Sequence, residues 1–355
     1  MAIVTRDAAR FLKPPEPAWY TQPSPFVLFA GGCSVIELAV VVALNNPYHQ
    51  TALTSHAFPL LPALGKPLVV RAMERLYRAG IRRYVVILDV SAGSVASYLT
   101  ASWMPNVSVE FVVLEHHESL TRTLSELCHR HPEPFLLCGY DTFVHPNHPE
   151  RLLRQAEGEG VQAVLTVAPV LLNRTPDAGA QRWWANGAIF EDALIAPTGA
   201  LHVANLAVFG QGMVDYLANA TVKTGVLSNH LSDIFVRYIR SGGTVTAAET
   251  SWMLQVQSDL DLLAVNKLLM DEGVDTHILT DLASSVQIVP PVRIDPRVSI
   301  GQGAKIGPRV YLEAGCSVGH HAQLSHTVVL AQSVVPANSQ IHETLVYPQG
   351  RLVAG

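Results

Sequence analysis

Apolar residues near the end of the chain recur every six positions. Ile294, Ile300, Ile306, Leu312, Val318, Leu324 and Leu330 hold one phase, and Val298, Ala304, Val310, Cys316, Ala322, Val328 and Val334 follow them four positions later. This interval belongs neither to a lone helix nor to a lone strand, and a short period repeated seven times marks a solenoid. The bulky aliphatic of each unit needs an inward site on a flat face, and the smaller residue four later fits a tight corner. Gly301, Gly307 and Gly319 fall where the backbone must turn without a Cβ penalty.

Upstream the periodicity changes. The run 39–43 is continuously apolar, as suits a parallel strand buried on both faces, and the segments 84–88, 107–113, 135–137, 161–167 and 203–209 predict further strands. Val69, Met73, Leu76 and Tyr77 recur at helical spacing, with Gly80 as the stop just after Arg78. Helices are also predicted near 149–157, 211–219, 228–240 and 258–271. Strands alternating with helices predict a doubly wound α/β domain with a mostly parallel sheet. Residues 171–200, rich in Gly, Pro and Asn around Trp183 and Trp184, read as an excursion from it, and 271–289 as a short connection into the solenoid. The apolar stretch 26–44 approaches membrane-spanning length. Glu37 inside it would cost about 2.5–3.5 kcal/mol on insertion, and Gly31-Gly32 reads as a turn, so two buried strands are expected instead.

The hexapeptides resemble the left-handed β-helix of the hexapeptide-repeat families, which implies about three coils over residues 292–350. From residue 39 onward the chain resembles the sugar-1-phosphate nucleotidyltransferases, or nucleotide-sugar pyrophosphorylases, many of which end in such a β-helix. The resemblance rests on Leu60-Leu61-Pro62-Ala63-Leu64-Gly65-Lys66-Pro67-Leu68 leading into a helix, on Ala79-Gly80-Ile81, on 136–141, on 205–209 and on the repeats. It implies an N-terminal extension over 1–38, a Rossmann-type nucleotidyltransferase-like α/β domain over 39–280 and a short left-handed β-helix over 281–355.

The family's reaction is attack of a sugar-1-phosphate oxygen on the α-phosphate of a nucleoside triphosphate. It needs glycines so that backbone N–H groups approach the phosphates, cations for the developing charge, and acidic residues for a magnesium ion. Here Asn45-Asn46-Pro47-Tyr48-His49 stands where the family has its Gly-x-Gly-Thr-Arg loop, and the alternative placement on 30–36 supplies no arginine either. The family's Pro-Lys is reduced to Phe58-Pro59, its base-reading glutamine corresponds to Leu114, and its Gly-Thr pair to Ser119-Leu120. A leucine cannot hydrogen-bond a base edge. On the same resemblance Asp141 is the first metal carboxylate, preceded by Tyr140 instead of glycine, and Gln257 takes the place of the second ligand, so that Mg2+ is the implied cofactor if ligand binding or activity is retained. Glu191 and Asn205 correspond to a carboxylate and an amide that hold sugar hydroxyls, while the lysine expected beside the glutamate is replaced by Asp192 and Ala193.

Other motifs carry plainer readings. Glu115-His116-His117-Glu118 places ligand-type residues contiguously, so on a strand they face opposite sides, and a surface loop is the expected outcome. His320, His321 and His326 are of the type that hexapeptide acyltransferases use as a base; exposed turn histidines are expected. Glu249 reads as a strand-end carboxylate, and Asp259 and Asp261 as helix-start residues complementing the macrodipole.

Composition narrows the partners. With 24 Lys plus Arg against 29 Asp plus Glu, the net charge of −5 supplies no broad basic field, which argues against nucleic acid. Only 15% of residues are charged, so surface is expected to be hidden in an assembly. Cys33, Cys128, Cys138 and Cys316 are scattered without a disulfide framework, and the first 25 residues mix charge with proline and offer no export core. A cytoplasmic protein without a membrane span is expected.

Three functions follow. The first is a degenerate, catalytically inactive nucleotidyltransferase-like protein with a structural, regulatory or sugar-sensing role, assembled as a homo-oligomer or with an active paralogue through the β-helix, its ligand a sugar phosphate or nucleotide sugar. The second is an active sugar-1-phosphate nucleotidyltransferase in which Lys66, Arg71 or Arg122 reaches the phosphates. The third is a hexapeptide acyltransferase.

Overall fold

Strand β1 (Leu38–Ala43) is buried along its whole length and divides its side chains between two cores. Ala39, Val41 and Ala43 face one core, and Leu38, Val40 and Val42 the other. The computed structural model describes residues 36–44, 53, 57–102, 106–114, 120–158, 160–172, 181–191, 194–219 and 231–354. The loop 45–49, Gly31-Gly32, the motif 115–118, Ser119, Cys33, Asp192 and Ala193 lie outside the described residues.

After β1 come the short hairpin β2 (Pro62–Ala63) and β3 (Lys66–Pro67), then α1 (Leu68–Arg78), β4 (Arg83–Asp89), α2 (Gly93–Ser102), β5 (Ser108–Leu114), α3 (Leu120–Arg130) and β6 (Phe135–Gly139). They are followed by β7 (Thr142–Val144), α4 (His148–Ala156), β8 (Ala163–Ala168), the hairpin β9 (Trp183–Ala185) and β10 (Ala188–Phe190), and β11 (Leu201–Phe209). The domain closes with α5 (Gln211–Asn219), α6 (Leu231–Arg240), β12 (Thr246–Glu249), β13 (Met253–Gln255) and α7 (Asp259–Asp271). The main sheet runs β10-β9-β11-β6-β1-β4-β5, with β8 joining β11 to β12. Strands β6, β1, β4 and β5 are parallel neighbours, while β11 enters antiparallel between β6 and β8. Helices α1, α2, α4 and α7 cover one face, and α3, α5 and α6 the other, which is the doubly wound arrangement.

Helices α2 and α3 add to those the sequence predicts, and only the second carries a clear apolar period. In α2 only Val95 and Leu99 are large buried residues among Ser, Thr, Ala and Gly. In α3 the spacing of Leu120, Leu124 and Leu127 does carry the helical period, on a background of polar residues.

The C-terminal part is a left-handed β-helix of three parallel ladders. One contains β14 (Gln287–Ile288), β17 (Lys305–Ile306), β20 (Gln323–Ser325) and β23 (Gln340–His342). The second contains β15 (Val292–Ile294), β18 (Val310–Leu312), β21 (Val328–Val329) and β24 (Thr344–Tyr347), with β25 (Gly350–Val353) folded back antiparallel on β24. The third contains β16 (Ser299–Ile300), β19 (Ser317–Val318) and β22 (Val334–Val335). The segment expected as a plain connection already belongs to the solenoid, because Ile278 bridges to Ile294 and β14 pairs with β17.

The hexapeptide register breaks twice, each time by one residue. Val329, not Leu330, stacks on Leu312, and Val335, not Pro336, stacks on Val318, so the repeat loses a residue between Leu324 and Val329; Val346 stacks on Val329 at the same shortened spacing, so a second residue is lost between Ile341 and Val346. Leu330 instead packs into the α/β core and Val334 is 69% exposed. The glycines also divide by cause. Gly307 adopts φ +110°, whereas Gly301 is required because a side chain there would collide with the backbone of His320 in the next coil.

The α/β part and the β-helix share a core. Tyr311, Val328, Leu330 and Leu345 belong to the same buried cluster as Leu262, Val265 and Leu269 of α7. Among the described residues no helix is long and apolar enough to cross a membrane, and Cys128, Cys138 and Cys316 are buried free thiols.

Candidate functional site

The carboxyl ends of parallel strands in a doubly wound sheet are where ligands bind. Strand β6 ends there, delivering Tyr140 and Asp141. Asp141 is 9% exposed, and three elements reach it. Thr142 Oγ1 donates to its Oδ1 at 3.1 Å. The pairing of Gln255 with Thr142 across β13 and β7 brings Gln255 Nε2 to 3.4 Å from Oδ2. Asn205, placed beside Gly139 by the Leu206–Cys138 register, also hydrogen-bonds the carboxylate. Burial raises the Asp141 pKa above the usual carboxylate range, and the bonds from Gln255, Thr142 and Asn205 oppose that rise only in part.

Two predicted sugar-side and metal residues, Asn205 and Asp141, therefore meet. Glu191 follows β10 and is exposed, on a hairpin hung from the first residues of β11. No hydrogen bond or ion pair joins it to Asp141 or Asn205 among the described residues. Gln257 uses its backbone N–H to reach Asp261 Oδ2 at 3.0 Å. The residue facing Asp141 is Gln255, two positions earlier. The alternation of half-buried Gln255, buried Val256 and half-buried Gln257 is the sequence signal that both glutamines share a face. Asp261 also accepts from Ser258, as a helix-start carboxylate should.

The cations expected to serve a triphosphate are engaged elsewhere. Lys66 Nζ lies 2.6 Å from Glu74 and 3.6 Å from Asp275. Arg71 is buried, donating to the carbonyls of Ala63 and Leu64 and to Asp275 Oδ2 at 2.6 Å. Burial opposes the ionisation of Asp275, yet Arg71, Lys66 and Arg293 together hold its carboxyl below the usual range. Arg122 pairs with Glu126 along the exposed face of α3.

Of the positions given to the phosphates and the base, the described ones at Phe58 and Leu114 are apolar. Phe58 and Tyr140, both buried, pack edge to face with ring centroids 6.3 Å apart. The Tyr140 hydroxyl is buried with no hydrogen-bond partner among the described residues. Burial, then Asp141 and Asp89, push its pKa well above the ordinary phenol value. Leu114 packs in the core with Leu120.

Of the two predicted magnesium ligands only Asp141 carries a carboxylate, and Gln257 turns its backbone N–H to Asp261. Magnesium needs octahedral oxygen ligands including one or two carboxylates, and Asp141 offers a single buried carboxylate already bonded by Thr142, Gln255 and Asn205. Among the described residues no three His, Cys, Asp or Glu side chains cluster to hold a metal.

The comparisons agree with this architecture. Residues 288–352 match the family model described as the GMPPB C-terminal domain. A solved Bacillus anthracis structure, named as a glucose-1-phosphate thymidylyltransferase in complex with a sucrose, superposes with a TM-score of 0.54 at 17% identity, covering 65% of this chain and 94% of its own. No curated protein sequence matches the chain. The fold is shared with that thymidylyltransferase, and with the match of residues 288–352 it supports a resemblance to the sugar-1-phosphate nucleotidyltransferases.

Proposed function

We propose that this chain is a nucleotidyltransferase-like protein without pyrophosphorylase activity, serving as a structural or regulatory subunit that holds a sugar-bearing ligand. The observation that carries the reading is the Phe58–Tyr140 contact: an interlocked aromatic pair stands where the resemblance asks for the Pro-Lys element and for a glycine. Lys66 and Arg71 are tied to Glu74 and Asp275, and Leu114 offers no base contact. Phosphoryl transfer depends on positioned charge, and loss of one preorganised donor commonly costs about 10²–10³ in rate.

Asp141, Asn205 and Glu191 are the groups that would take sugar hydroxyls, since a carboxylate and an amide bond hydroxyls without the missing cations. The assembly, with itself or an active paralogue through the β-helix, and the cytoplasmic location belong to the same proposal. The glucose-1-phosphate in the name of the Bacillus anthracis protein makes hexose-1-phosphates and their nucleotide sugars the first ligands to try.

Pyrophosphate exchange with magnesium, four nucleotides and common hexose-1-phosphates tests the first part. No exchange above background is expected, and turnover abolished by Asp141→Ala would overturn it. Light scattering of the full chain tests the second. A monodisperse monomer at high concentration with no co-purifying partner would count against the assembly.

A further inference from the structure

Strands β14, β17, β20 and β23 stack in register on one face of the β-helix. Their pairing lines up Gln287, Lys305, Gln323 and Gln340 as an exposed column across successive coils. Two positions further along the strands come Gly307, Ser325 and His342, with Ser325 paired directly to His342. Neighbouring strands lie about 4.8 Å apart, so side chains on adjacent coils reach the same ligand group.

Between the columns runs a groove of about 510 Å³, bordered by Lys305, Gly307, Gln323, Ser325, Gln340 and His342. No side chain can fill it at Gly307, where a Cβ would collide with the Val289 carbonyl. The border offers an ammonium, an imidazole, a hydroxyl and two carboxamides. It contains no carboxylate, in a chain whose net charge is −5.

The imidazole is held in place. Ser325 Oγ lies 2.8 Å from His342 Nδ1, and the His326 ring meets the His342 ring edge to face at 5.2 Å. With the serine donating to Nδ1, the ring proton sits on Nε2 and is available to an anionic oxygen. Glu343, the next residue, is held by Lys267 at 2.8 Å, so its charge is already balanced.

We propose that this groove binds a small phosphorylated sugar or polyol. Lys305 and His342 take the phosphoryl oxygens, and Gln323 and Gln340 bond the hydroxyls. The site is separate from the cleft at Asp141 and stands or falls independently of the reading given for that cleft.

Isothermal titration with glucose 6-phosphate, inorganic phosphate and glucose, together with the ring signals of His342 in an NMR spectrum, tests the proposal. Glucose 6-phosphate should bind and shift the His342 signals, inorganic phosphate should bind more weakly, and glucose should not bind. Lys305→Ala and His342→Ala should each weaken binding by roughly tenfold, the usual worth of a charged hydrogen bond, while Arg154→Ala, at an exposed residue paired with Glu150 outside both sites, should leave it unchanged. Absence of binding at millimolar glucose 6-phosphate, or an affinity untouched by both groove substitutions, overturns the assignment. An affinity lost in Glu191→Ala but kept in Lys305→Ala overturns it too, and moves the ligand to the cleft.

Discussion

The backbone N–H of Gly65 donates to the hydroxyl of Tyr311 at 3.0 Å, across 246 positions of sequence. The Tyr311 hydroxyl in turn donates a hydrogen bond to Asp295 Oδ2 at 2.9 Å, and Asp295 Oδ1 accepts from Arg293 at 2.7 Å. Gly65 holds φ +74°, and a side chain there would collide with the Arg293 guanidinium. The Leu-Leu-Pro-Ala-Leu-Gly-Lys-Pro-Leu stretch thus acts in this chain as the seat on which the β-helix rests. Replacing Tyr311 by Phe removes both hydrogen bonds of the hydroxyl, to the Gly65 N–H and to Asp295 Oδ2, at a cost of about 1–3 kcal/mol. A urea midpoint unchanged in Tyr311→Phe would show that the bond contributes nothing.

The Tyr140 hydroxyl gives the opposite expectation. It is buried without a hydrogen-bond partner among the described residues, so Tyr140→Phe deletes a desolvated polar group and keeps the packing against Phe58. Stability should rise by about 1 kcal/mol, read as a higher thermal midpoint. A fall would mean that the hydroxyl has a partner in solution.

Asp141 should trade stability for binding. Its folded pKa is raised by burial, so its contribution is present below the unfolded value of 3.8 and is lost as pH rises through the folded value. At neutral pH the carboxylate is a burden on the fold. Asp141→Asn is therefore expected to keep or raise the thermal midpoint while weakening any sugar ligand held in the cleft. A lowered midpoint with unchanged ligand affinity would contradict both halves.

His148 predicts an acid limit. It is 1% exposed, its ring nitrogen Nε2 lies 3.0 Å from Thr166 Oγ1, and burial followed by Arg151 and His145 lowers its pKa from 6.5 to about 4. The unfolded chain takes up the proton first, so the stability is full above the unfolded value and is lost as pH falls from 6.5 towards 4. The loss at the acid end is roughly 2–3 kcal/mol. Denaturant midpoints measured across that range should fall steeply in the wild type and more gently in His148→Gln; parallel curves would remove His148 from the account.

The chain pattern by itself determined the two-part architecture, because continuous apolar runs suit strands buried on both faces and a six-residue period suits only a solenoid. It also placed Asp141 at the end of a parallel strand and Asn205 on a later strand, while their adjacency came from the pairing of β11 with β6. What it could not contain was the first break in the repeat. Val328, Val329 and Leu330 are all apolar and all buried, and only the stacking of Val329 on Leu312 decides which of them points inward. Nor could it show where the cations go. Arg71 meets Asp275 across 204 positions, a distance in sequence that leaves no local periodicity to read. Phe58 and Tyr140 likewise come from separate elements and touch only when the sheet assembles. Local pattern fixes which face of an element is buried; which charges neutralise one another, and which rings fill a cleft, is settled by contacts between elements far apart in the chain.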